Sequence, residues 1–125
     1  MANVLTWEAE TASSGMPGRA LARIRTNNFV VDDYAVAPYN GPGEEPGAGE
    51  LFLAGITTCA VLMIERLARA EELPLQHVRA TMEASRDPTQ PLGGVPVLDS
   101  AHLELGFRGL TREQAGQLVQ MFKDR

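Results

Sequence analysis

The chain of 125 residues carries a single cysteine, Cys59, inside "ELFLAGITTCAVLMIERLA", residues 50–68, its least polar stretch. A thiol in such company has two possible uses. Surrounded by apolar atoms it is a small space-filling group with little reactivity. Held as a thiolate it is a nucleophile, and that requires a cation or hydrogen-bond donors close by. The residues alone leave both readings open. The dipole of a helix starting near Glu50 offers little help, because Cys59 falls more than two turns along it and the effect fades within the first turn. Any activating charge has to come from elsewhere in the fold.

The arginines supply the candidates. Arg66, seven positions on, shares a helix face with Cys59 but stands about 10.5 Å further along the axis, while helical side chains lean towards the N-terminus. Arg23 and Arg25 alternate with a strand's other face and share theirs with Leu21, which suits surface positions; Arg86 ends a later strand. Arg19, between a turn and a strand, is freer to point into a cleft. Glu50 opens the helix, where a carboxylate is favourable with the dipole, and it could equally clamp an arginine through a two-pronged pair. His77 and His102 are scattered and show no zinc-ligand spacing. The loop "GPGEEPGAG" holds two glutamates and no lysine, unlike a phosphate-binding loop. Neither a metal nor another cofactor is expected.

These residues are positioned by a short series of elements. "NVLTWEAET" alternates with a period of two and reads as a strand. After the turn "SSGMPG", residues 19–36 read as two strands breaking near Asn27 and Asn28. "PYNGPGEEPGAG" packs four glycines and three prolines into twelve residues, too many breakers for a regular element. From Glu50 to about Glu72 the composition predicts a helix about 33 Å long, ended by Pro74. Gly55 weakens it unless another backbone packs there. "HVRATMEAS" and "SAHLELGFRGL" alternate again, the first with Val78, Ala80, Met82 and Ala84 on one face, the second with Leu103, Leu105 and Phe107. Between them lies a second breaker-rich loop, "DPTQPLGGVP". Thr111 and Gln114 match a capping box ahead of Ala115, Leu118, Val119 and Phe122 at helical spacing. The order β-β-β-α-β-β-α predicts an α+β fold, an antiparallel sheet packed on the long helix.

Size and composition suit one domain spanning residues 1–125. With one cysteine no intrachain disulfide forms, which favours a reducing, cytoplasmic setting. The formal charge of −5 speaks against nucleic acid as a partner. No signal peptide is visible at "MANVLTWEAE". The apolar run Leu51–Ile64, 14 residues, falls short of a membrane span of about 20, so no membrane association is expected. That run has no hydrophilic side, however, and one small sheet covers it poorly. A second copy of the chain is the expected cover, giving a homodimer.

The stretch "GELFLAGITTCAVLMIERLARAEELPLQHVRATMEASRD" resembles the OsmC/Ohr superfamily, whose members follow a Pro/Gly-rich loop with a glutamate, an apolar helix with small residues before a cysteine, and a strand often ending in Arg-Asp. The matching positions are Glu50, Ala54, Thr58, Cys59, Arg86 and Asp87, and placing Glu50 directly before "LFLAG" is more like the general OsmC-like branch. The resemblance implies an intertwined homodimer with a cysteine on each of two central helices. It implies peroxide reduction, in which the cysteine attacks the distal peroxide oxygen and becomes a sulfenic acid. It further implies an arginine that stabilises the thiolate and a glutamate that assists it, for which Arg19 and Glu50 are the nearest matches. Relatives usually carry a second, resolving cysteine and a further strand beyond the last helix. This sequence stops at "QMFKDR" without them: either the natural chain continues further or it lacks that step, and an external thiol or dithiol could then reduce Cys59. The expected function is thus a thiol peroxidase acting on organic or hydrogen peroxides through Cys59, Arg19 and Glu50. The alternative is a non-catalytic dimer of the same fold that binds an apolar small molecule at its interface.

Overall fold

A computed structural model describes residues 3–87 and 98–124. The order of elements is the expected one: β1 (Glu10–Ser13), β2 (Arg19–Ile24), β3 (Asn27–Asp32), α1 (Ala48–Ala70), β4 (His77–Ser85), β5 (Ser100–Arg108) and α2 (Arg112–Lys123). The chain divides into two compact units, Met1–Leu51 and Phe52–Arg125. All pairing is antiparallel, but the strands form two sheets, β1-β2-β3 in the first unit and β4-β5 in the second, where a single sheet was expected. Most of the loop "DPTQPLGGVP" lies outside the described residues.

In the first unit, β1 is shorter than the alternation of "NVLTWEAET" predicts. Glu10 pairs with Arg23, so residue 9 would face Ile24 at the end of β2 and earlier residues would run past it. With no ladder to join, residues 3–9 are irregular, and Val4, Leu5 and Trp7 are exposed. The β2–β3 turn also differs. It falls at Arg25 and Thr26, two positions before the asparagines, with Arg25 in the left-handed region at φ 57°. The Arg23 Nε–H donates to the Arg25 carbonyl at 2.9 Å and the Asn27 side-chain amide donates to the Ile24 carbonyl at 3.3 Å, which ties the turn together.

In the second unit the alternation of both strands is realised. Val78, Ala80, Met82 and Ala84 of β4 and Leu103, Leu105 and Phe107 of β5 are the less exposed residues of their strands. Of these, Val78 joins Ile64, Leu67, Ala68 and Leu118 in the core, Leu105 and Phe107 pack against it, and Ile64 and Leu118 are fully buried. The capping box forms as predicted. The Gln114 N–H donates to the Thr111 hydroxyl at 3.1 Å, and the Thr111 N–H donates to the Gln114 side-chain oxygen at 3.0 Å.

The long helix is not buried throughout. Its buried residues, Ala60, Ile64, Leu67 and Ala68, come from its second half, while Phe52 is 60% and Leu62 49% exposed. By length and composition α1 is apolar enough to cross a membrane.

Candidate functional site

Cys59 is exposed and belongs to a stripe at helical spacing with Phe52, Gly55, Leu62 and Arg66, all exposed. Within this chain the sulfur therefore fills no core. Among the described residues no hydrogen bond reaches it. Thr57, two positions before it, turns its hydroxyl back to the carbonyls of Leu53 and Ala54 at 3.0 and 3.2 Å, satisfying its polar group without leaving the helix surface.

Arg19 opens β2 and stands opposite Asp32, the last residue of β3. Its guanidinium meets the Asp32 carboxylate with two parallel bonds, Nε–H to Oδ1 at 2.7 Å and Nη2–H to Oδ2 at 2.9 Å. A longer contact of 3.4 Å joins Nη2 to Glu44. Asp32, only 2% exposed, is the buried charged residue of the described chain. A buried carboxylate needs every lone pair engaged, and the backbone N–H groups of Glu44 and Glu45 both donate to its Oδ2 at 3.0 Å. The Asp32 N–H in turn donates to the Pro46 carbonyl at 3.1 Å. Successive N–H groups converging on an anion form a backbone nest. The breaker-rich loop thus cradles an anion after all, one supplied by the chain itself.

The charges respond accordingly. The Arg19 hydrogen bonds hold the Asp32 carboxyl well below the usual carboxylate range; burial pushes the other way, and the Glu45 and Glu44 amides add to the lowering. The same bonds to Asp32 raise Arg19 above its ordinary value, so the guanidinium is fixed as a cation. Its Nη1 edge makes no hydrogen bond among the described residues, and the side chain keeps 22% of its surface open. Beside the pair runs an open groove of about 520 Å³ lined by Ala20, Ala22, Val31, Ala48 and Leu51 together with Arg19 and Asp32.

The glutamate that the resemblance pairs with this arginine is occupied elsewhere. Glu50, in the first turn of α1, accepts a hydrogen bond from the Gly47 N–H at 3.0 Å while the Gly47 carbonyl accepts from the Leu51 N–H at 3.0 Å. Gly47 is therefore the N-cap, and Glu50 supplies the returning half of a capping box. Gly47 itself is required there, since a Cβ would lie 2.7 Å from the Tyr34 ring. The carboxylate on Arg19 is that of Asp32 because of register. A turn at Asn27 and Asn28 would pair Thr26 with Phe29 and set Arg19 opposite Val36; the turn two residues earlier sets it opposite Asp32. Sequence reading missed Asp32 for that reason. Of the other arginines, Arg23 serves the hairpin turn, Arg25 is in it, and Arg66 is exposed on α1.

No metal-binding cluster of His, Cys, Asp or Glu occurs among the described residues.

Solved structures share this fold along nearly the whole chain. An OsmC-like protein of Mycoplasma pneumoniae matches 97% of this chain and 82% of its own, with TM-score 0.79 and 14% identity. An organic hydroperoxide resistance protein, OsmC, of Legionella pneumophila matches 98% and 85%, with TM-score 0.74 and 23% identity. The organic hydroperoxide resistance protein OhrB of Bacillus subtilis matches 96% and 84%, with TM-score 0.65 and 17% identity. No curated protein matches the sequence. The family described as OsmC-like protein matches residues 41–125, the stretch that includes Glu50, the helix bearing Cys59 and the β4-β5 sheet, and this chain belongs to that family.

Proposed function

We propose that the protein is a thiol-dependent peroxidase that reduces organic or hydrogen peroxides through Cys59. The observation that carries this reading is the exposed thiol on the family's helix, its sulfur free of any hydrogen bond among the described residues. Similarity in fold to hydroperoxide resistance proteins supports the substrate class.

In the proposed reaction the Cys59 thiolate attacks the distal oxygen of ROOH. The S–O bond forms as the O–O bond breaks, leaving sulfenic acid on Cys59, and the departing alkoxide takes a proton and leaves as ROH. Reduction is proposed to use an external thiol or dithiol. One thiol condenses with the sulfenic acid to a mixed disulfide and releases water, and a second thiol, or the other arm of a dithiol, restores Cys59. Arg19 is the proposed cation for the thiolate, offering its open Nη1 edge. Glu50 contributes by fixing the first turn of the helix that carries Cys59.

The working unit is proposed to be a homodimer. Helix α1 exposes Leu51, Phe52 and Leu62, and open space lies beside Gly55, where a second backbone could approach closely. The apolar groove beside Arg19 favours a second reading, a dimer of this fold that binds an apolar small molecule without chemistry.

The deciding experiment follows consumption of cumene hydroperoxide and hydrogen peroxide with a dithiol present. Steady turnover that disappears in Cys59→Ser supports the peroxidase. Equal rates in the two proteins, or no consumption by either, leave only the binding reading.

A further inference from the structure

The loop between β3 and α1 contains "YNG", residues 39–41, and an asparagine followed by glycine is a pair whose backbone can attack its own side chain. With no Cβ on the second residue, its peptide nitrogen is unshielded. Asn40 is exposed, and its side-chain amide makes no hydrogen bond among the described residues. It holds the left-handed conformation at φ 48°, which asparagine adopts more readily than most residues. The electrophile, the side-chain carbonyl carbon of Asn40, is thus open to water. The nucleophile is not. The Gly41 N–H donates to the Tyr34 carbonyl at 2.7 Å, and the loop is further tied by the Asn40 N–H to the Val36 carbonyl and the Gly43 N–H to the Asp33 carbonyl, both at 3.0 Å. Gly41 also has no room around it: a Cβ there would lie 2.5 Å from that of Asp33 and 2.6 Å from the Asp33 carbonyl oxygen.

We propose that Asn40–Gly41 is a self-modification site gated by opening of this loop, and that the isoaspartate formed there holds the loop open. Once the loop opens, the Gly41 nitrogen attacks the Asn40 side-chain carbon. The new C–N bond closes a succinimide ring as ammonia departs, taking the Gly41 proton. Water then opens the ring at either carbonyl, giving aspartate or isoaspartate. In the folded protein the rate is the intrinsic one multiplied by the fraction of time the loop is open. In isoaspartate the main chain runs through the former side chain and is longer by a methylene. That lengthening falls where Gly41 packs against Asp33, so the bond from Gly41 to Tyr34 does not re-form. The same loop runs on to Glu44 and Glu45, whose amides hold Asp32, and an open loop withdraws that support. The modification is independent of the peroxide chemistry at Cys59.

The test incubates the folded protein and the guanidinium-unfolded chain side by side at mildly alkaline pH and follows conversion of Asn40 by peptide mass mapping. Gating predicts conversion at least about tenfold slower in the folded protein. Equal rates would overturn the gate, and an unfolded chain that keeps Asn40 intact would overturn the site itself. Aged chains carry one more negative charge and separate by anion exchange, and labelling with an isoaspartate-specific methyltransferase identifies the isoaspartate fraction. Returned to native conditions, that fraction should melt several degrees below the fresh protein. Asn40→Asp, which has the same added charge on a chain of ordinary length, should melt close to the fresh protein. A fresh-protein melt for the isoaspartate fraction, or an equal fall in Asn40→Asp, would show that chain lengthening does not hold the loop open.

Discussion

Arg19 and Asp32 stand directly across β2 and β3 from one another and join through two parallel hydrogen bonds of 2.7 and 2.9 Å, with the carboxylate buried and the guanidinium partly open. The pair links three segments of the first unit: the start of β2, the end of β3 and the loop leading to α1.

Its contribution to stability depends on pH in a definite direction. A carboxyl whose folded pKa is lowered contributes stability that is fully present above its unfolded value, about 3.9, and lost as pH falls through that value towards the folded one. Asp32→Asn should therefore melt several degrees below the wild type at pH 7, with the difference shrinking progressively below about pH 4. Thermal melts from pH 2 to 7 measure it, and a difference constant over that range would mean that charge is not its source.

The nest around Asp32 depends on Gly43, which adopts φ 63° and would place a Cβ 2.9 Å from that of Ala35. Gly43→Ala should destabilise by roughly 1–2 kcal/mol from the left-handed conformation alone, with the close contact adding to it. Denaturant unfolding is the check; a variant as stable as the wild type would show that the loop can rearrange freely.

In the second unit the critical packing is at Leu118, fully buried against Ile64 and Val78. Leu118→Ala should cost about 2–5 kcal/mol. Thr111→Ala, which removes one half of the α2 capping box, should cost about 1 kcal/mol. Chemical denaturation of the two variants should preserve that order.

Phe52, 60% exposed on the first half of α1, separates isolated chain from assembly. In a lone chain Phe52→Asp changes stability little, within about 0.5 kcal/mol. If a second copy covers this face, the substitution buries an unpaired charge and converts the dimer to monomer. Light scattering after size-exclusion chromatography reads this directly: wild type at twice the chain mass and the variant at one. A monomeric wild type at micromolar concentration would remove the dimer from the proposed function.

Much of the fold was legible beforehand, where a feature depends on neighbours in sequence. The alternation of β4 and β5, the Thr111–Gln114 capping box and the course of α1 all follow from side-chain period and local hydrogen bonding, which act within a few residues. The extent of β1 was not legible, since a strand lasts only as long as its partner and β2 ends at Ile24.

For the candidate site, the sequence by itself determined the chemical repertoire: one thiol on an apolar helix, an arginine at the start of a strand and a glutamate at the helix opening. Tertiary structure alone decided the partnerships. A turn placed two residues earlier than the asparagines suggest gives Arg19 an aspartate instead of a valine, and the N–H of Gly47 claims Glu50. Pairing between distant residues depends on a register that small turn preferences tip, so a shift too slight to alter the strands themselves exchanges the residues that meet.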